Sequence, residues 1–175
     1  KRRKNFIFTS PIIKDDIVNA TPTDLKHISV YLPSFDKECL QTAFNKVGDV
    51  QFHWFLGDIK EQYTIGNITY FPVNQKLFNQ SLISSHGIIT GGGFETPAEA
   101  LYLNKKVLSI PIQNHYEQEC NAAALKLLGV PVLSKVGDHF HVEIENWLNG
   151  KIVYPKIEAN DIPKTLQYLF DTYND

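Results

Sequence analysis

From His27 onward, short runs of β-branched and aromatic residues alternate with segments whose apolar side chains recur at helical spacing, and few folds accept that order. Residues 28–32, 50–55, 68–71, 87–90, 107–110 and 130–133 are strand candidates. Between them, 37–46, 75–83, 97–103 and 116–128 have helical periodicity, and Gly129 supplies a stop for the last of these. Residues 161–173 carry Ile162, Leu166, Leu169 and Phe170 and predict a terminal helix, with Pro163 tolerated in its first turn. Such alternation implies an α/β fold: a Rossmann-like, doubly wound, mostly parallel sheet of about six strands with helices on both faces. Residues 1–26, with Pro11 and Pro22 and no sustained period, read as a linker or N-terminal extension, so one domain is expected over 27–175. In an open parallel sheet, ligands lie beyond the carboxyl ends of the strands.

Size and charge narrow the classes. A chain of 175 residues with 43% hydrophobic content buries one core and is too short for two ordinary enzyme domains. A net charge of −2 gives no reason to expect nucleic acid, so any phosphate site must be local. The basic run Lys1-Arg2-Arg3-Lys4 reads as a solvated terminus. Cys39 and Cys120 lack CxxC spacing, which fits a reducing, cytoplasmic setting. No stretch has the apolar length of a transmembrane helix or the pattern of a signal peptide. The chain opens on Lys1 and contains no methionine, so a piece of a longer protein is expected.

The most informative stretch is Gly87-Ile88-Ile89-Thr90-Gly91-Gly92-Gly93-Phe94-Glu95-Thr96-Pro97-Ala98-Glu99. A buried strand runs into three glycines and then a helix, for which Thr96 is the expected N-cap, Pro97 the first helical residue and Glu99 the partner in a capping box. Backbone N–H groups without side chains, next to a helix N-terminus, suit an anion such as a diphosphate. Glycines also make plain tight turns, and both readings stand on the loop alone. Neither the P-loop nor the GxGxxG fingerprint is present, which sets aside triphosphate hydrolysis and NAD binding. Glu99 has two compatible readings, a cap on the Thr96 N–H or an acceptor for two vicinal ribose hydroxyls.

A second polar cluster follows the strand at 107–110, where Glu117 and Gln118 offer acceptors and donors for sugar hydroxyls or form an exposed first helical turn. A third group, Asp138-His139-Phe140-His141, holds a His-x-His pair, which in a strand could face one metal. It lacks further ligands at suitable spacing, so no metal site is assigned. His27, His53, His86 and His115 read as structural.

Together, residues 90–129 resemble the donor-binding motif of GT-B glycosyltransferases, the group that includes the N-acetylglucosaminyl transferase of peptidoglycan synthesis and the UDP-glycosyltransferases. The shared elements are the glycine turn, Thr and then Glu at a helix start, a strand ending in Pro, the Glu117-Gln118 pair, and Asn121-Ala122 before a helix that ends in Gly. The resemblance implies that Gly91, Gly92, Gly93 and Thr96 hold the diphosphate, that Ser34 in the loop Pro33-Ser34-Phe35 closes over it, and that Glu99 takes the ribose. It further implies that the base lies against Phe71, Pro72 and Val73, and that Phe94, Glu95, Glu117 and Gln118 face the donor sugar.

Two departures stand out. Gly91 replaces a histidine, and Glu95 replaces an asparagine, which puts an acid near the expected diphosphate. The resemblance implies the C-terminal, donor-holding half of an enzyme that moves a hexosyl or N-acetylhexosaminyl group from UDP-sugar to an acceptor hydroxyl with inversion and without a metal. The catalytic base and acceptor site are expected on an N-terminal domain absent here, so this segment alone is expected to be inactive. Peripheral membrane contact of the full protein stays open. Competing readings are a UDP-N-acetylglucosamine 2-epimerase-like enzyme and a non-catalytic module that kept the fold, the latter kept alive by Glu95.

Overall fold

The computed structural model describes residues 9–173. The basic run Lys1-Arg2-Arg3-Lys4 lies outside the described residues. In chain order the elements are α1 (Asp15–Val18), β1 (His27–Tyr31), α2 (Lys37–Lys46), β2 (Gln51–Leu56), β3 (Tyr63–Ile65), β4 (Ile68–Pro72), α3 (Gln75–Ser84) and β5 (Gly87–Thr90). They continue through α4 (Glu95–Tyr102), β6 (Lys106–Ser109), α5 (Tyr116–Leu127), α6 (Phe140–Asn149) and α7 (Ile162–Tyr173). None of the described helices is long and apolar enough to cross a membrane.

The strands form one six-stranded sheet in the order β3-β4-β2-β1-β5-β6, parallel except for the β3–β4 pair. The chain winds outward from β1 through β2 and later restarts on the other side of β1 with β5. The order therefore reverses between β1 and β5, the position at which such sheets open a crevice. Consecutive side chains of a strand point to opposite faces. Ile88 and Ile89 of β5 accordingly enter different cores, as do Val107 and Leu108 of β6. One core packs Leu40 and Phe44 of α2 with Phe140, Ile144 and Trp147 of α6; the other packs Ile17 of α1, Leu82 of α3, Ala100 of α4 and Leu125 of α5. Helices thus cover both faces, as the alternation of periods implies.

Several elements depart from the sequence reading, each for a local reason. The sixth strand is β3, not 130–133. Val132 makes only an isolated parallel bridge with Ser109, because Pro131 lends its carbonyl to the Ser109 N–H but has no N–H to extend a ladder. The exposed β3 folds back on β4 through Gly66, at φ 61°, and Asn67. Asn67 fixes that turn by donating from Nδ2 to the carbonyls of Phe44, Val47 and Val50. The His139–His141 stretch begins a helix, so the two imidazoles do not share a strand face. Residues 140–145 alternate apolar and polar, but Phe140, Ile144 and Trp147 are the buried ones, at helical spacing.

The lead-in to β1 is also structured: Ile17 is fully buried and Ile13 is 6% exposed. Lys105 ties this segment down, its buried Nζ donating to the carbonyls of Thr23 and Ser85.

At the centre of one face, His27 and His53 stack with ring centroids 3.7 Å apart. Both reach Ser81 at 3.1 Å, and the Ser81 hydroxyl lies 2.7 Å from that of Ser29. Burial pushes both imidazoles toward the neutral form, His53 to about 4, with the neighbouring His27 adding to the effect. These histidines sit under α3, away from the carboxyl edge, and have a packing role.

Candidate functional site

The glycine loop leaves β5 at the switch point, and its shape is set by α5. Gly92 donates its N–H to Gln118 Oε1 at 3.0 Å and accepts from Asn121 Nδ2 at 3.1 Å. The same Gln118 oxygen accepts the Ile112 N–H at 2.9 Å. Two backbone donors on one oxygen fix the amide's orientation and leave Nε2 as its remaining donor. A β-carbon at Gly92 would lie 2.8 Å from the Gln118 carbonyl oxygen and 2.9 Å from Pro111 Cβ, so only glycine fits. At Gly93 nothing lies within 4 Å of such a carbon, and Gly91 meets only ordinary contacts. The three glycines therefore do different things: Gly92 is buried as a clamp, while Gly91 and Gly93 face an open crevice.

Helix α4 starts two residues before the expected Pro97. Phe94 is already in the right-handed region and takes the N-cap place without a side-chain bond, which makes Thr96 a helical residue. The capping box does not form. The Glu99 carboxylate instead meets Lys14, with Nζ 3.0 Å from Oε1. The advanced start aims the N–H groups of Glu95 and Thr96, which have no carbonyl one turn earlier within the helix, toward the loop.

Two joined cavities follow the carboxyl edge. The first, of about 130 Å³, is bordered by Gly91, Gly93, Thr96 and Gln118 on one side and by the β1 loop with Ser34 on the other. The second, of about 340 Å³, shares Tyr31 and Thr96 with it and extends over the ends of β2 and β4 between Phe55, Val73, Phe78 and Lys14. On the far side, a further cavity of about 410 Å³ shares Ser34, Phe35 and Ile112 with the first and is bordered by Gln113 and Lys135. Adjoining cavities thus line a groove from the ends of β2 and β4, past the glycine loop, to the loop after β6.

Of the residues singled out from sequence, Ser34, Gly91, Gly93, Thr96 and Gln118 meet at the central crevice, and Val73 borders the second cavity. Gly92 lies behind the crevice. Phe71 is a core residue, 5.1 Å from Phe55 and 4.9 Å from His53 between ring centroids, with Pro72 half-buried beside it. The Val73 N–H is taken by the Leu56 carbonyl. Glu95 is exposed and lies 3.6 Å from Lys14 Nζ, so the acid near the loop carries a counter-charge. Phe94 turns to a separate apolar cavity between α4 and α5. Glu117 is exposed outside the lining of the groove, and Glu99 is 1% exposed behind Lys14.

Sequence reading missed Tyr31, Phe55, Phe78, Asn74 and Lys14 as groove residues. Tyr31 and Phe78 meet edge to face at 5.8 Å, forming an aromatic wall suited to a flat ring. The signal for Lys14 was present in Ile13 and Ile17, four residues apart, which announce a packed turn rather than a linker.

The same pattern appears in known proteins. A curated protein from Methanosarcina acetivorans, described as an uncharacterized glycosyltransferase, is 24% identical over 140 residues, 72% of this chain and 36% of its own length. Three solved structures share the fold. The glycotransferase of kitacinnamycin aligns with a TM-score of 0.56 at 18% identity, over 86% of this chain and 39% of its own. The spinosyn forosaminyltransferase SpnP gives 0.52 at 16%, over 81% and 39%. SnogD from Streptomyces nogalater gives 0.51 at 24%, over 72% and 34%. The chain therefore spans a little over a third of the length of most of these relatives. The model of glycosyl transferase family 1 matches residues 1–150, which include the whole sheet, the glycine loop and the groove, and the chain belongs to that family.

Proposed function

We propose that this chain is the donor-holding half of a glycosyltransferase that takes a UDP-sugar and transfers its hexosyl or N-acetylhexosaminyl group to an acceptor hydroxyl with inversion. The observation that carries the reading is the groove itself. An aromatic-walled cavity, a crevice edged by glycine N–H groups and a helix start, and a third cavity bordered by Gln113 and Lys135 follow one another in the order of base, diphosphate and sugar. In this reading the base lies between Tyr31, Phe78 and Val73, rather than on Phe71 and Pro72. The diphosphate meets Ser34, Thr96 and the backbone of Gly91 and Gly93, and Gly92 serves by holding the loop on Gln118. Gln118 Nε2 and Gln113 face the sugar, with Glu117 reaching it only by a side-chain rotation.

In the reaction, the acceptor oxygen bonds to the anomeric carbon from the side opposite the diphosphate. The bond to the β-phosphate oxygen breaks, and its electron pair leaves with UDP. The acceptor proton passes to a base outside this chain. Negative charge growing on UDP is met by the N–H groups at the start of α4, oriented before the reaction begins, so the step is expected to need no metal. A reducing, cytoplasmic setting fits the free Cys39 and Cys120.

Calorimetric titration of the 175-residue chain with UDP, GDP and dTDP tests the reading. UDP is expected to bind most tightly, and Thr96→Val to weaken it by about 0.5–1.5 kcal/mol through loss of one hydrogen bond. Absence of measurable heat with every nucleotide would favour instead a non-catalytic module, a reading that the Lys14 contact on Glu99 also accommodates.

A further inference from the structure

Lys14 stands immediately before α1, and its backbone is held from below by the buried Ile13 and Ile17. Its Nζ bridges two acids, 3.0 Å from Glu99 Oε1 and 3.6 Å from Glu95 Oε2. Glu99 is 1% exposed, and its second oxygen, Oε2, has no hydrogen-bond partner among the described residues. A buried carboxylate oxygen left unpartnered is uncommon and marks a place where a donor is missing. Lys14 is 37% exposed and borders the aromatic-walled cavity, whereas Glu99 does not. The ammonium therefore stands between the carboxylate and the groove. Among the described residues it is also the one cationic side chain bordering either that cavity or the glycine crevice, and Thr96 borders both.

We propose that Lys14 exchanges partners when a nucleoside diphosphate enters. In the free protein its ammonium neutralises Glu99. With the ligand bound, the two ribose hydroxyls donate to Glu99 Oε1 and Oε2, and the released ammonium turns past Thr96 to the diphosphate. The exchange keeps Glu99 hydrogen-bonded, with two hydroxyl donors in place of the ammonium, and gives the incoming anion the cation that Glu99 gives up. It makes Lys14 a positioning and affinity residue for the nucleotide, and it rests on the donor-site reading above. Glu95, exposed beside Lys14, then serves as the return partner that keeps the ammonium near the groove.

The exchange assigns opposite effects to ligands with and without phosphates. NMR-detected titration of the 175-residue chain with uridine and with UDP is compared for the natural protein, Lys14→Met and Lys14→Arg. Lys14→Met is expected to bind uridine at least as tightly, because the competitor for Glu99 is gone, and UDP about tenfold or more weakly, the loss of one charge-assisted contact. Lys14→Arg places a two-pronged donor on both Glu99 oxygens and is expected to weaken uridine about tenfold. Equal losses of uridine and UDP affinity in Lys14→Met would overturn the exchange while leaving nucleotide binding in place. So would unchanged uridine affinity in Lys14→Arg, which decides the matter even if the methionine variant does not fold. If the natural chain binds neither ligand, the exchange falls together with the donor-site reading.

Discussion

A single methyl group placed at Gly92 or at Gly93 distinguishes the two jobs of the glycine loop. At Gly92 the new carbon lies 2.8 Å from the Gln118 carbonyl oxygen and 2.9 Å from both Gln118 Cβ and Pro111 Cβ. None of these atoms sits at the end of a flexible side chain, so the loop or the start of α5 has to move. Overpacking of this kind costs about 1–3 kcal/mol. The same movement stretches the Gly92 bonds to Gln118 Oε1 and Asn121 Nδ2, worth about 0.5–1.5 kcal/mol each. The sum for Gly92→Ala is roughly 2–6 kcal/mol, or a Tm lower by about 4–24 °C for a domain of this size. At Gly93 the methyl group meets nothing within 4 Å, and its φ is not in the left-handed region. Gly93→Ala is therefore expected within about 0.5 kcal/mol of the natural chain. Circular dichroism melts and urea titrations measure both, and UDP titration then separates them further, because Gly93 borders the crevice and Gly92 does not. Equal Tm losses for the two variants, or a Gly92→Ala chain as stable as the natural one, would refute the assignment of Gly92 as a clamp.

Other expectations follow from single contacts. The unfolded chain takes up protons near pH 6.5 that the buried His27 and His53 resist, His53 until about pH 4, so stability is fully present above pH 6.5 and falls as the pH drops below it. Solvent screening of the half-buried His53 reduces its share to about 1–2 kcal/mol; urea midpoints that do not fall between about pH 7.5 and about pH 4.5, or fall as much in His53→Gln, would contradict this. Lys105→Met leaves the carbonyls of Thr23 and Ser85 without their donor and is expected to lose about 1–3 kcal/mol in urea unfolding, most of it by freeing residues 20–26. Tyr154→Phe removes the hydroxyl that accepts from the Val107 N–H at 3.0 Å on the edge strand β6, and should cost about 1 kcal/mol with faster amide exchange at Val107.

How much of this was legible in the sequence differs by level. The sheet and its two helical layers follow from alternating periods of two and 3.6, which is why the expected bounds of α2 and β5 coincide with those observed. Where local pattern and burial disagree, the pattern misleads. Residues 140–145 alternate like a strand, yet Val142 is exposed and Phe140 and Ile144 are buried on one helical face. The cap at Thr96 failed because the Phe94 backbone already adopts helical dihedrals, a matter of loop closure against α5 that no single-residue preference encodes. The crevice was legible through Gly91, Gly93, Thr96 and Gln118, whose types match the chemistry of an anion site. Its aromatic wall was not, because Tyr31, Phe55 and Phe78 come from three separate elements and meet only when the sheet orders them. Lys14 was hidden for a similar reason: its partner Glu99 is distant in sequence.

In the proposed function, the start of α4 and the glycines before it bind a diphosphate. Amide-resolved NMR of the chain titrated with UDP tests this most directly. The N–H signals of Gly91, Gly93 and Thr96 should shift together and saturably, with Tyr31 and Val73 moving in the same titration. Gly92, whose N–H is held by Gln118, should move least within the loop. Shifts confined to residues away from the groove, or no saturable change at Gly93 and Thr96, would contradict the account.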